Sequence, residues 1–276
     1  MKFGVHLGSV NAKFWSQVAE EADRLGFESV WVPEHVVVPL DASGSPHHGS
    51  EQPPIPSNIP IYDALGMLCF LAARTSRIRL GTNVFNLGLR HPFLTARAAT
   101  TVDVLSGGRL ELGIGASWLH SEWTAMGLDF DGRGRRIDEC IDICRRLWSE
   151  ATIEHHGDNF DFGPTAFEPK PVQQPLPLHI GGDGAAALRR AATVGTGWMP
   201  MNHALGDLPP SIERLRKLTE AAGRQMVEVT VGGEIATEDH LEAYARAGVD
   251  RVIVRPWTSS RDASAGMEHF AAAFLG

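Results

Sequence analysis

Short apolar, β-branched runs alternate along the chain with longer segments whose apolar residues recur every three or four positions. "KFGVHLG" (2–8) reads as a strand, and "FWSQVAEEADRLG" (14–26) as a helix stopped by Gly26. "SVWVPEH" (29–35) is the second strand, "IYDALGMLCFLAART" (61–75) the second helix and "IRLGTNVFNL" (78–87) the third strand. "HPFLTARAATTVDVLSGG" (91–108) has a proline near its first turn and glycines at its end, the usual asymmetry of a helix. "RLELGIG" (109–115) and "RGRRIDECIDICRRLWS" (133–149) form the fourth pair, and "LPLHIGG" with the helix running to Gly195 forms the fifth. Strands at 196–201, 227–236 and 251–257 alternate with helices at 208–224, 237–248 and about 263–275.

Eight strand–helix pairs in strict alternation imply a parallel sheet with right-handed crossovers. At 276 residues they predict an α/β chain closed into a (β/α)8 barrel, one domain over 1–276. Three insertions interrupt the alternation. Residues 36 to about 60 follow the second strand as a long Pro-, Gly- and Ser-rich loop, a length that points to function. Residues 116–132 follow the fourth strand, and 152–175 precede the fifth as a hairpin around "HHGDNF" with Pro-rich coil after it. In such a barrel the chemistry belongs at the C-terminal ends of the strands.

Composition narrows the classes. A formal net charge of −8 argues against nucleic acid, whose partners carry a basic stripe. No apolar run reaches the roughly 18 residues needed to cross a bilayer. The start, "MKFGVHLGSV", enters a strand directly and lacks the apolar core of a signal peptide, so a cytoplasmic location is expected. Cys69, Cys140 and Cys144 are odd in number and lie in apolar helical contexts, which reads as structural thiols with no metal.

"LPLHIGGDGAAALRRAA" (176–192) carries the strongest local signal. Its glycines make either a tight strand-to-helix turn or an anion site, with backbone N–H groups and a helix N-terminus turned towards negative charge. "LELGIGASW" (110–118) is a decoy for a dinucleotide fingerprint. Trp118 stands where the third glycine belongs, and an insertion follows in place of a helix.

Taken together, "GFESVWVPEH", "RIRLGTNVFNLGLRHP", "LSGGRLELGIGASWLHSEWTAMGLDFDGRGRRIDE" and "LPLHIGGDGAAALRRAATVGTGWMP" resemble the bacterial luciferase-like monooxygenase superfamily. More narrowly they resemble its actinobacterial branch of oxidoreductases that use the deazaflavin coenzyme F420. The resemblance spans nearly the whole chain. It implies a barrel holding a flavin-like ring at the strand C-termini, with a non-prolyl cis peptide behind the ring at Asn83–Val84. It further implies a cofactor phosphate on Gly181, Gly182, Asp183 and Gly184 at the start of the following helix, and cofactor contacts from Gly115, Ala116 and Ser117. His35 matches a histidine that faces the reactive ring carbon, and the ordinary imidazole pKa of about 6.5 suits proton transfer beside a hydride step. Glu34, Trp118 and Trp123 are expected in the substrate pocket, Trp118 and Trp123 alternatively as packing of the insertion. Glu122 matches a recurring position with a structural role.

Two departures bear on the substrate. Pro39 stands where the sugar-phosphate dehydrogenases of this branch have a tryptophan, and Trp118 stands where they have a catalytic glutamate. Sugar-phosphate oxidation is therefore not expected. The implied activity is hydride transfer between F420 and a small organic substrate, in a homodimer. The alternatives are an FMN-dependent monooxygenase that uses reduced flavin and oxygen, and a flavin-binding barrel without catalysis.

Overall fold

The alternating pattern resolves into eight parallel strands in a computed structural model that describes residues 1–40, 58–201 and 203–275. The strands are β1 (Lys2–His6), β2 (Ser29–Val32), β3 (Arg79–Thr82, continued by Phe85–Asn86), β4 (Leu110–Gly115), β5 (Leu178–Gly181), β6 (Gly197–Met199), β7 (Glu228–Gly232) and β8 (Arg251–Val254). Each pairs with its sequence neighbours. β8 returns to β1 through Lys2↔Arg251 and Val5↔Val254, and β3 joins β4 through Leu80↔Leu110, so the sheet closes. The architecture is the expected (β/α)8 barrel.

Among the described residues eight helices wrap it: α1 (Trp15–Leu25), α2 (Ala64–Arg74), α3 (Pro92–Ser106), α4 (Arg133–Ser149), α5 (Ala185–Thr193), α6 (Leu208–Ala221), α7 (Glu238–Ala247) and α8 (Ala263–Phe274). Their apolar faces bury against the outward residues of the strands, as where Phe3 of β1 meets Phe270 of α8 edge-on. Cys140 and Cys144 belong to this layer, and burial pushes the Cys140 thiol up to about 12 and that of Cys144 well above its ordinary value. Thiols so placed stay protonated and unreactive.

The insertions differ in content. Residues 152–175 hold the expected antiparallel hairpin, Thr152–His156 against Asp161–Ala166. Residues 116–132 contain a short helix, His120–Ala125, that the polar sequence there did not announce. Most of the long loop after β2, residues 41–57, lies outside the described residues. The third strand is not continuous: β3 breaks at Asn83–Val84, whose peptide bond is cis, and resumes at Phe85 against Ile114 of β4.

The inside of the barrel is filled from its N-terminal end. Arg251, almost wholly buried, donates to both carboxylate oxygens of Glu28 at 2.8 Å and to Thr230 at 3.1 Å, and also pairs with Glu228. Beside it Glu111 is held by Arg79 and by His179. Above this charged floor lies the Trp31 ring, packed with Met199, Ile253 and the half-buried Val84. Gly4 makes room for it, since a Cβ there would come within 2.6 Å of the indole nitrogen. With the floor closed by charge pairs and the middle by Trp31, the C-terminal end is the end left for a ligand.

Candidate active site

At that end His35 follows β2, and its ring is held from below. Its Nδ1 lies 3.0 Å from Glu122 Oε2, and the Glu122 side chain is wholly buried. The same carboxylate accepts the backbone N–H groups of Val36 at 2.7 Å and Val37 at 3.3 Å, and the Ser117 hydroxyl at 3.3 Å. An ionised carboxylate only accepts hydrogen bonds, so in the neutral imidazole this contact assigns the proton to Nδ1. Nε2 is then left with its lone pair as the acceptor. The Trp118 ring stands edge-on to His35 with centroids 6.0 Å apart and forms an apolar wall.

Ser117 reaches Glu122 from an uncommon backbone position. Its φ of 55° is left-handed, and its hydroxyl also accepts the Leu119 N–H at 3.3 Å. The turn after β4 therefore anchors the loop after β2 through a single carboxylate.

The break in β3 faces two glycines. The Val84 side chain lies against Gly115 of β4 and Gly181 of β5, where added Cβ atoms would come within 2.7 and 2.9 Å of its methyls. Ala116 is half-buried beside Gly115. Asn83 is half-buried, and its Oδ1 is a buried acceptor with no partner among the described residues. Gly115 and Gly181 thus make room for the Val84 side chain, and the orphaned Asn83 acceptor beside it fits a ligand with a hydrogen-bond donor on its edge.

After β5 the chain turns at Gly182, with φ +112°, and enters α5. Gly182 is pinned on both sides: its N–H donates to Met199 O at 3.0 Å, and its carbonyl accepts Trp198 Nε1 at 2.8 Å. The N-cap, Gly184, is exposed and makes no side-chain cap, so the first N–H groups of α5 lack the partner a Ser or Asp would give. A Cβ on Gly184 would meet nothing within 4 Å, which leaves open space before the helix start. The Asp183 carboxylate accepts the Met201 N–H at 2.9 Å and lies 2.8 Å from His203 Nδ1, so it is turned to the neighbouring loop.

Two expected pocket residues lie elsewhere. The Glu34 carboxylate accepts the Asn86 N–H at 2.8 Å and Arg90 Nη2 at 2.7 Å, with no exposed side-chain surface. It ties the loop after β2 to the end of β3 and forms no wall of the pocket. Trp123 is 1% exposed and packs under Gly88 and against Phe130, so packing of the insertion is its role. The reason is the short helix at 120–125, which turns Glu122 and Trp123 together into the body of the protein.

Two residues carry more than the sequence assigned them. The family resemblance implies a structural role for Glu122, yet it holds the candidate catalytic histidine. His6, at the end of β1, reads in the sequence only as part of a strand, although strand alternation places it inside the barrel. Burial and the charge of Arg255 lower its pKa to about 4. Among the described residues no group of three or more His, Cys, Asp or Glu is placed to hold a metal ion. Nor is any described helix long and apolar enough to cross a membrane.

Comparison with known proteins shows the family. An uncharacterized protein of Mycobacterium tuberculosis is 31% identical over 270 residues, covering 95% of this chain and 92% of its own. An F420-dependent glucose-6-phosphate dehydrogenase of Kineococcus radiotolerans is 30% identical over 212 residues, 75% of this chain and 58% of its own. A solved F420-dependent secondary alcohol dehydrogenase, in complex with an F420-acetone adduct, shares the fold with a TM-score of 0.80 at 16% identity, over 99% of this chain and 98% of its own. The family of luciferase-like monooxygenases matches residues 2–272, and the chain belongs to it.

Proposed function

We propose that the chain is an oxidoreductase that moves a hydride between coenzyme F420 and a small organic substrate at the C-terminal mouth of the barrel. The observation that supports this most is the cradle formed by Asn83, Val84, Gly115 and Gly181 on three adjacent strands, with the uncapped start of α5 beside it. Asn83 and Val84 back the ring, and Ala116 and Ser117 border it. The N–H groups after Gly182 and Gly184 neutralise the phosphate of the side chain. When bound, the deazaflavin supplies the hydride chemistry.

The protein's own part is orientation and proton handling. Glu122 fixes the His35 ring, so that Nε2 accepts or returns the proton of the substrate group from which hydride leaves or to which it adds. Trp118 excludes water on one side of that imidazole and puts an indole where a second acidic group would stand. This favours a substrate that needs a single proton-transfer group, and argues against the sugar-phosphate chemistry of the Kineococcus relative.

A second copy of the chain completes the assembly in this reading. The outward faces of α2 (Gly66, Phe70, Ala73) and α3 (Leu94, Thr101, Leu105) expose large apolar side chains, and the charges on those faces, Arg74 and Arg97, are engaged within the chain by Glu20 and by the Glu168 carbonyl.

The same cradle accommodates the phosphate of FMN, which makes an FMN-dependent monooxygenase the second reading. Titration of the purified protein with F420, FMN and NADPH separates them. Saturable F420 binding, tighter than FMN by tenfold or more, is the expected result. Tight FMN binding without F420 binding overturns the first reading.

A further inference from the structure

The residues given to the cofactor and to His35 all lie on the β2–β5 half of the mouth. The opposite half carries two inward groups with no task so far, His6 and Arg255. His6 pairs laterally with Trp31, whose ring fills the barrel interior, and lateral neighbours in a parallel sheet face the same side. On β8, Arg251 and Ile253 face the interior, and alternation carries Arg255 to that side at the rim. The half-buried His6 ring makes no hydrogen bond among the described residues, and the exposed Arg255 makes no ion pair among them. The turn at Gly8 closes behind the ring, where a Cβ would come within 2.8 Å of His6 Cε1. Val5 pairs with Val254, so His6 and Arg255 are the next residues along neighbouring strands, and burial together with the Arg255 charge lowers the imidazole pKa to about 4.

We propose that His6 and Arg255 form a recognition site for a carboxylate group of the substrate, across the mouth from His35. A guanidinium presents a planar fork that matches a carboxylate in two parallel hydrogen bonds. The neutral imidazole adds a directional donor and no second charge. One cation suits one negative charge. Glu234, exposed at the end of β7 beside β8, adds a negative field that penalises a phosphate dianion more than a carboxylate. The site selects small organic acids, with the reacting carbon held between it and His35. The inference deepens the oxidoreductase reading and rests on it for the position of the cofactor.

The test is a titration of the full chain, labelled in its histidine rings, with acetate, propionate, benzoate and inorganic phosphate at constant ionic strength. The His6 resonance is assigned by its loss in His6→Gln. Carboxylates should shift it saturably and raise its pKa, because a bound anion favours the imidazolium. Arg255→Gln should weaken that binding at least tenfold while leaving F420 affinity within a few-fold. Phosphate should bind at this position at least tenfold more weakly than the best carboxylate.

An unmoved His6 resonance overturns the proposal, as does equal binding in Arg255→Gln or a preference for phosphate. A tenfold loss of F420 affinity in Arg255→Gln overturns it too, since the pair would then serve the cofactor's own acidic side chain. A parent chain that binds carboxylates at His6 but no F420 keeps this site and overturns only the cofactor assignment.

Discussion

His35 Nδ1 and Glu122 Oε2 lie 3.0 Å apart across 87 residues of sequence, and the Glu122 carboxylate is fully buried. A buried charge is tolerated only where hydrogen bonds replace its water, and Glu122 has four donors around it. Glu122→Gln keeps the shape and the acceptor for Val36, but turns an amide N–H towards His35. The imidazole proton should then move to Nε2, the nitrogen that must act on substrate. Turnover is expected to fall by about 10- to 100-fold, the usual cost of losing such an orienting partner. F420 affinity should stay within a few-fold. Unchanged turnover in a folded variant would show that the carboxylate only anchors the loop.

The histidine itself is tested by two replacements. His35→Ala should lower turnover by roughly 100-fold or more, the scale for loss of a general acid or base, and leave cofactor affinity nearly unchanged. Asparagine can donate and accept hydrogen bonds but cannot titrate. Loss of activity in both variants favours proton transfer, whereas activity retained in His35→Asn favours orientation. Parent-like rates in both would make His35 a structural residue.

At the phosphate cradle the sensitive position is Gly182. Its φ of +112° lies in a region that side chains rarely adopt, at a cost of about 1–3 kcal/mol. Gly182→Val should weaken F420 binding tenfold or more while the barrel still folds, because the turn lies at the ligand end of β5 and outside the core. Thermal melting alongside fluorescence titration reads both quantities. An unchanged affinity with a sharply lower melting temperature would reduce this stretch to a turn.

Much of this was legible in the sequence, and the exceptions have physical causes. The eight strand–helix pairs follow from local periodicity, because each element buries one face against a common core. The break in β3 leaves no such trace. "RLGTNVFN" is apolar and β-branched on both sides of Asn83, and only the family resemblance marked the bond. Glu34 and His35 are adjacent but face different partners, which their order cannot reveal. The bond between Glu122 and His35 joins an insertion to the end of a strand, and local periodicity does not predict where an insertion folds back.

Acid should destabilise the protein in two separable steps. Burial and the nearby Arg255 lower the His6 pKa from 6.5 to about 4, so between those values the unfolded chain binds more protons than the folded one. Stability therefore falls as pH drops from 6.5 towards 4. At Glu111 burial raises the pKa, but the hydrogen bond and charge of His179, with Arg79 and Arg251, outweigh it and hold the carboxyl at about 2. Its contribution is complete above pH 4.5 and is lost as pH falls from 4.5 towards 2. His6→Asn should reduce the upper step by on the order of 1–2 kcal/mol, the half-buried ring being partly screened by solvent. Urea midpoints measured from pH 7 to pH 3 check this, and an unaltered upper step in His6→Asn would refute it.

The outer faces of α2 and α3 yield the last expectation. Phe70 is 51% exposed, Leu94 67% and Leu105 64%, on faces whose exposed charges, Arg74 and Arg97, are held by Glu20 and by the Glu168 carbonyl. Leu94, Ala98, Thr101 and Leu105 recur at intervals of four, three and four residues, so they line one side of α3. A two-fold axis beside this helix pair would set the stripes of two copies against each other. Every apolar side chain named would then be covered. Light scattering should give a dimer for the parent chain at micromolar concentration. Phe70→Glu and Leu94→Glu each place a carboxylate in the interface and should shift it to monomer, with F420 affinity and melting cooperativity preserved. A monomeric parent, or dimers that persist in both variants, would remove α2 and α3 from the interface.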